Sequence, residues 1–155
     1  MIAVSACLCG VNCKYNGGNN FNETIYELFK EGKAVLICPE QLGGLETPRS
    51  PSEIIKSEEG AVRVVNKKGI DVTKEYKKGA KSALEMAKEK GCHIAILKAK
   101  SPSCGLGKIY DGTFTGKIVE GNGVTAQLFL ENGIKVLNEA DEKILEIIKK
   151  ETAAK

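Results

Sequence analysis

A chain of 155 residues with 42% apolar and 28% charged residues carries one domain's worth of globular sequence, long enough to bury a core without disulfide staples. Its 23 basic and 20 acidic residues nearly cancel, to +3, which argues against a dedicated nucleic-acid surface, and no apolar run approaches the ~20 residues that span a bilayer. The opening MIAVSA has no basic n-region and is too short for a secretory leader, so the expectation is a cytoplasmic chain with no membrane association.

Ile2 to Ala6 is a short apolar run suited to a buried strand. Asn22 can cap a helix with Ile25, Leu28 and Phe29 on one face, stopped at Gly32. Ala34 to Ile37 predicts a second buried strand. Val62 to Val65 alternates and runs into Lys67-Lys68-Gly69, which predicts a small edge hairpin or an extended arm. Thr73 is the expected cap of a helix carrying Tyr76, Ala80, Ala83, Leu84 and Ala87 at helical spacing and ending at Gly91. Ile94 to Leu97 is a third buried strand. Asp111-Gly112 offers a hairpin turn within YDGTFTG. Val124 to Asn132 predicts a helix closed by Gly133, Ile134 to Leu137 a fourth strand, and Glu139 to Glu151 a final helix.

Short apolar strands alternating with amphipathic helices give an α/β fold: a single-domain, Rossmann-like parallel sheet with helices on both faces. The domain is expected over residues 1–151, with a frayed tail over 152–155.

Six cysteines are many for a chain of this size. In a reducing compartment such thiols more often serve as metal or redox groups than as disulfides. The single histidine, His93, opens the third strand and reads as a strand-edge residue, which removes most zinc arrangements needing imidazole. In open parallel sheets, ligands bind beyond the carboxyl ends of the strands. Cys7 follows the first strand, Cys38 the second, and Cys104 lies in the KAKSPSCG loop after the third. Three thiolates distant in sequence are therefore expected to meet at one sheet edge. Cys9 and Cys13 share the first loop, and either is available as a fourth ligand. Cys92, at the opposite end of the third strand, reads as a core residue.

All-thiolate ligation suits zinc or an iron–sulfur cluster. A structural zinc wants four closed ligands, whereas a cluster held by three leaves one iron open. Glu40 beside Cys38, and Ser101 and Ser103 around Pro102 beside Cys104, add a carboxylate and hydroxyls that favour the second case.

SACLCGVNCKYNGG, CPEQLGGLETPRSPSEI, KGIDVTKEYKKGA and ILKAKSPSCGLGKIYDGTFTG together resemble the thiouracil desulfidase (TudS) family, from Ser5 to about Gly133 and in the same order. The resemblance implies a [4Fe-4S] cluster on Cys7, Cys38 and Cys104, whose free iron takes sulfur from a thiolated uracil base or nucleotide without net redox chemistry. It also implies catalytic roles for Glu40 and Ser101, and for Ser103 beside them. Glu40 would take a proton from the attacking water, and a serine would relay one to the ring or the leaving sulfur.

Substrate handling is expected from the turn Asn16-Gly17-Gly18, through its amides, from Arg49 as a bidentate phosphate ligand, and from Lys98 and Lys100 as positive charge. Family members with a second domain are associated with thiouridine in tRNA. This chain carries one domain, so a small thiolated uracil or its nucleotide is the expected partner, and tRNA is not. Two other classes stand beside this reading: a non-catalytic cluster- or nucleotide-binding module in sulfur trafficking, and a thiol redox protein using Cys7, Cys9 and Cys13. The last lacks a CxxC pair at a helix N-terminus.

Overall fold

The computed structural model describes residues 1–153. Four parallel strands form the central sheet: β1 (Ile2–Ser5), β2 (Ala34–Ile37), β5 (Ile94–Leu97) and β8 (Lys135–Asn138), in the order β2-β1-β5-β8. Ile2 pairs with Ala34 on one side and Ile94 on the other, and Ile94 pairs with Lys135. The central strands are buried on both faces, as continuous apolar runs in a parallel sheet must be.

One face is covered by α1 (Glu23–Lys30) and α5 (Ile144–Ala153), whose Ile25, Leu28 and Ile144 pack on Ile2, Val4 and Ile96. The other is covered by α3 (Thr73–Glu89) and α4 (Val124–Glu131), whose Ala83, Leu84, Ala126 and Phe129 pack on Ala3, Ala95 and Val136. The α/β, Rossmann-like architecture read from the alternation is the one observed. No described helix is long and apolar enough to cross a membrane.

Local differences have local causes. After β1 the chain tightens at once into a 3-10 turn over Ala6–Cys9, so Ala6 leaves the strand. Asn22 caps α1 as expected, its Oδ1 accepting from Ile25 N at 3.2 Å, but Phe29 turns outward toward Tyr26 instead of joining the buried face. Thr73 is the first residue of α3, not its cap. Its hydroxyl accepts from Val64 N at 2.8 Å; the N-cap is Val72, and Asp71 Oδ1, one residue earlier, accepts from Thr73 N at 2.9 Å. The last helix begins at Ile144, because Asn138 and Asp141 fold the intervening residues into side-chain-closed turns. The expected tail overlaps the end of α5, and its last two residues lie outside the described ones.

Sequence periodicity did not resolve four further elements: α2 (Pro39–Leu42), one turn directly after Cys38; β3 (Ser52–Lys56), which pairs antiparallel with β4 (Val62–Asn66); and β6 (Lys108–Tyr110) with β7 (Ile118–Glu120), the hairpin that the Asp111-Gly112 turn signalled. The β3–β4 ribbon is the hairpin expected around Val62. The β6–β7 hairpin is closed by a seven-residue loop, 111–117, in which Glu53 Oε1 receives the Gly112 and Phe114 amides at 2.9 and 3.1 Å. Together the hairpins wall off the carboxyl edge of the sheet.

Candidate metal centre and active site

Each strand end delivers one group. The 3-10 turn after β1 carries Cys7, the step from β2 into α2 carries Cys38, and the loop after β5 carries Cys104. These three, with Cys13, line a single cavity of about 370 Å³ that also exposes Ser5, Glu40, Arg49, Lys98, Ser101 and Tyr110. No cysteine is in a disulfide. That volume lies within the range of small-molecule sites.

Thiol environments within the cavity differ. Cys38 Sγ donates to Cys13 O at 3.9 Å, and contact with the Cys13 thiol, aided by Asn20 Nδ2 donating to Cys7 Sγ at 3.5 Å, lowers Cys7 to about 7 against the opposing effect of burial. The same contact lowers Cys38 and raises Cys13 itself. Burial pushes the Cys104 thiol well up, while the hydroxyls of Ser5 and Ser103 partly offset it. Cys9 points away to Ile25 O, and burial raises it to about 11. Cys92 is buried among Ala87, Ile134 and Val136 at the far end of the sheet, as expected of a core thiol.

Among the described residues, no group of three or more His, Cys, Asp or Glu side chains could hold a metal ion. A mononuclear zinc would draw every sulfur to ~2.3 Å from one centre. A cluster offers a separate iron to each thiolate, so its ligands stand apart around an open volume. An all-sulfur donor set spread around one cavity fits the second kind of group and not the first.

Glu40, on the first turn of α2, points into the cavity with its side chain 16% exposed. Its Oε2 accepts from Arg49 Nη2 at 2.9 Å and from the Tyr76 hydroxyl at 3.2 Å. Arg49 is not a free surface cation. Its side chain is 9% exposed, Nη2 also donates to Cys13 O at 3.0 Å, and Nη1 donates to Glu46 O and Thr47 Oγ1. Only Nε has no partner among the described residues.

The two serines have separated. Ser101 lines the cavity, and its Oγ accepts from Ser103 N at 3.1 Å and Cys104 N at 3.0 Å, so its own proton is left to be donated. Ser103 is fully buried, off the cavity wall, paired at 2.8 Å with Thr125 Oγ1. Lys98 reaches the cavity from the end of β5, paired with Glu139 at 3.3 Å, and Lys100 follows at φ 64°, a conformation uncommon for a residue bearing a side chain.

Asn16-Gly17-Gly18 forms a turn that does not reach the wall. Gly17 N donates to Lys14 O and Gly18 N to Asn16 Oδ1, so neither amide is left for an anion. Sequence reasoning missed Tyr76, Asn20, Ser5 and Glu139. Tyr76 sat in a helical apolar pattern, and nothing in that pattern marks a hydroxyl aimed at Glu40.

Comparison with known proteins places this geometry. The family model described as 2-thiouracil desulfurase matches residues 2–141. The chain belongs to the 2-thiouracil desulfurase family. It is 48% identical over 144 residues to the uncharacterised protein YbbK of Bacillus subtilis (strain 168), covering 90% of this chain and 95% of that one. Among solved structures it is similar to the [4Fe-4S]-dependent thiouracil desulfidase TudS, at 39% identity and a TM-score of 0.86, covering 98% of this chain and 97% of the other.

Proposed function

We propose that residues 1–151 form one desulfidase domain that removes sulfur hydrolytically from a thiolated uracil, 4-thiouracil or 4-thiouridine monophosphate, giving the uracil form and hydrogen sulfide. In this reading Cys7, Cys38 and Cys104 hold a [4Fe-4S] cluster, and Cys13 stays a thiol beside it. Bound there, the cluster supplies an open, Lewis-acidic iron suited to a soft thiocarbonyl sulfur.

The protein's own groups account for the protons. Glu40 takes one from the water that adds to the thiocarbonyl carbon, and Ser101 donates one toward the ring or the departing sulfur. Accepting two amide bonds favours Ser101 as a donor, because both polarise its O–H outward. Lys98 places a positive charge beside the substrate anion that develops. Overall, a thiocarbonyl and water become a carbonyl and hydrogen sulfide, and no electrons are exchanged.

What supports the reading most is one cavity lined by three strand-end thiols and a hydrogen-bonded carboxylate, in a chain 39% identical to TudS over 98% of its length. The test is anaerobic purification, reconstitution with iron and sulfide, then iron counting with each cysteine replaced by alanine. Loss of iron in the variants at 7, 38 and 104, with iron retained in Cys13→Ala, is the expected result. Equal loss of iron in Cys13→Ala would make it a four-thiolate site. A loaded cluster that never releases sulfide from 4-thiouracil or 4-thio-UMP would point to the trafficking module.

A further inference from the structure

Both hydrogen bonds to the Glu40 carboxylate end on the same oxygen. Arg49 Nη2 and the Tyr76 hydroxyl share Oε2, and among the described residues none donates to Oε1. Glu40 borders the cysteine cavity and also an adjoining cavity of about 330 Å³, whereas Tyr76 borders only the second. The carboxylate is thus held from two sides, by Arg49 on the wall of the cysteine cavity and by Tyr76 on the wall of the second. Burial keeps the Tyr76 hydroxyl protonated, so it remains a donor.

Tyr76 is itself fixed. Its ring packs among Ile54, Val64, Val72 and Ile109, joining the β3–β4 and β6–β7 hairpins to the start of α3. The helices carrying Tyr76 and Glu40 meet backbone to backbone. A Cβ on Gly79 would overlap the Pro39 carbonyl oxygen, and a Cβ on Gly43 would overlap the Glu75 carbonyl oxygen. With no side-chain layer between α2 and α3, the distance from Tyr76 to Glu40 is set by main-chain contact.

We propose that Tyr76 is a positioning residue which, with Arg49, occupies Oε2 of Glu40 and leaves Oε1 as the oxygen presented to the attacking water. The inference rests on the reading of Glu40 as the general base. A carboxylate turns freely about its last torsion. Two donors on one oxygen, held by separate elements, remove that freedom, and a base must be oriented to a fraction of an ångström to act.

The test uses anaerobically reconstituted enzyme and 4-thiouracil. Tyr76→Phe keeps the ring in its apolar surroundings and deletes the hydroxyl alone. The expected result is kcat reduced about tenfold with KM changed less than about twofold, at unchanged iron content and visible absorption. Placed on Glu40→Gln, the same change should cost less than about twofold, because residues acting through one group are not additive. Glu40→Asp supplies that background if Glu40→Gln has no measurable turnover.

A Tyr76→Phe enzyme with wild-type kcat, one altered only in KM, or one losing the same factor with and without Glu40 overturns the proposal. If Glu40→Gln itself turns over at the wild-type rate, the base reading fails first, and separately. Should Tyr76→Phe not fold by circular dichroism, Arg49→Lys, acting on the same oxygen, is measured against the same outcomes.

Discussion

Gly79→Ala tests whether α2 is held by main-chain contact with α3. On helix propensity alone the change is favourable by up to about 1 kcal/mol, since Gly79 sits in the interior of a 17-residue helix. The packing argues the other way. The new Cβ would overlap the Pro39 carbonyl oxygen, lie 2.7 Å from its carbon and 3.1 Å from Gly43 N, where real Cβ atoms essentially never come closer than 3.0 Å. None of these atoms is the end of a flexible side chain, so the helices must separate by about 1 Å, and overpacking of this kind costs ~1–3 kcal/mol. A clash with backbone atoms belongs at the upper end of that range, about 2–3 kcal/mol, so net of the propensity gain about 1–2 kcal/mol of destabilisation is expected, or roughly 2–8 °C in midpoint for a chain of this length. Urea titration and thermal melting of the alanine variant measure it. A Gly79→Ala protein as stable as wild type would refute the backbone-contact account of how Glu40 is placed.

Ser103→Ala should cost about 1–3 kcal/mol, because it strands the buried Thr125 hydroxyl, yet leave turnover near wild type, while Ser101→Ala, which strands the Ser103 and Cys104 amides, loses turnover as well as stability. The reverse pattern would give the proton role to Ser103. In cluster-free protein, Cys7 should be the first thiol alkylated by iodoacetamide, with half-maximal rate near pH 7, and Cys13→Ala should move that midpoint upward; peptide mass spectrometry reads both. Asp71, held down to about 2 by the Thr73 hydroxyl and amide and then by Arg63, has a folded-state value below the ordinary 3.8. Its contribution is therefore complete above about pH 4 and lost as pH falls toward 2. Asp71→Asn should lower the melting midpoint at neutral pH by an amount that shrinks over that window, and a constant difference would contradict it.

The sheet and its thiols were legible because both depend on short-range pattern. Four apolar runs had to be buried strands, and a parallel sheet has one carboxyl edge, so the chain positions of Cys7, Cys38 and Cys104 alone assign them to the same place. What stayed hidden depends on how elements dock. Arg49 reads as a phosphate ligand in sequence, but the loop folds it under Cys13 and against Glu40, where both terminal nitrogens of its guanidinium are already engaged. Ser101 and Ser103 look equivalent around Pro102, yet the turn sends one to the cavity and the other to Thr125. Tyr76 follows a helical repeat that signals burial and is silent about its hydroxyl. Periodicity also underdetermines elements of three to five residues, which is why α2 and β3 came only from the structure, while the β6–β7 hairpin was signalled by its Asp111-Gly112 turn and not by its strands.

Central to the proposed chemistry is a hydrolytic exchange of sulfur for water's oxygen with no electron transfer. Single-turnover reaction of the reconstituted protein with 4-thiouracil in oxygen-18 water, without any reductant, tests it most directly. One labelled oxygen is expected in each uracil formed, with one sulfide released beside it. Unlabelled uracil, or turnover that begins only when a reductant is added, would contradict it.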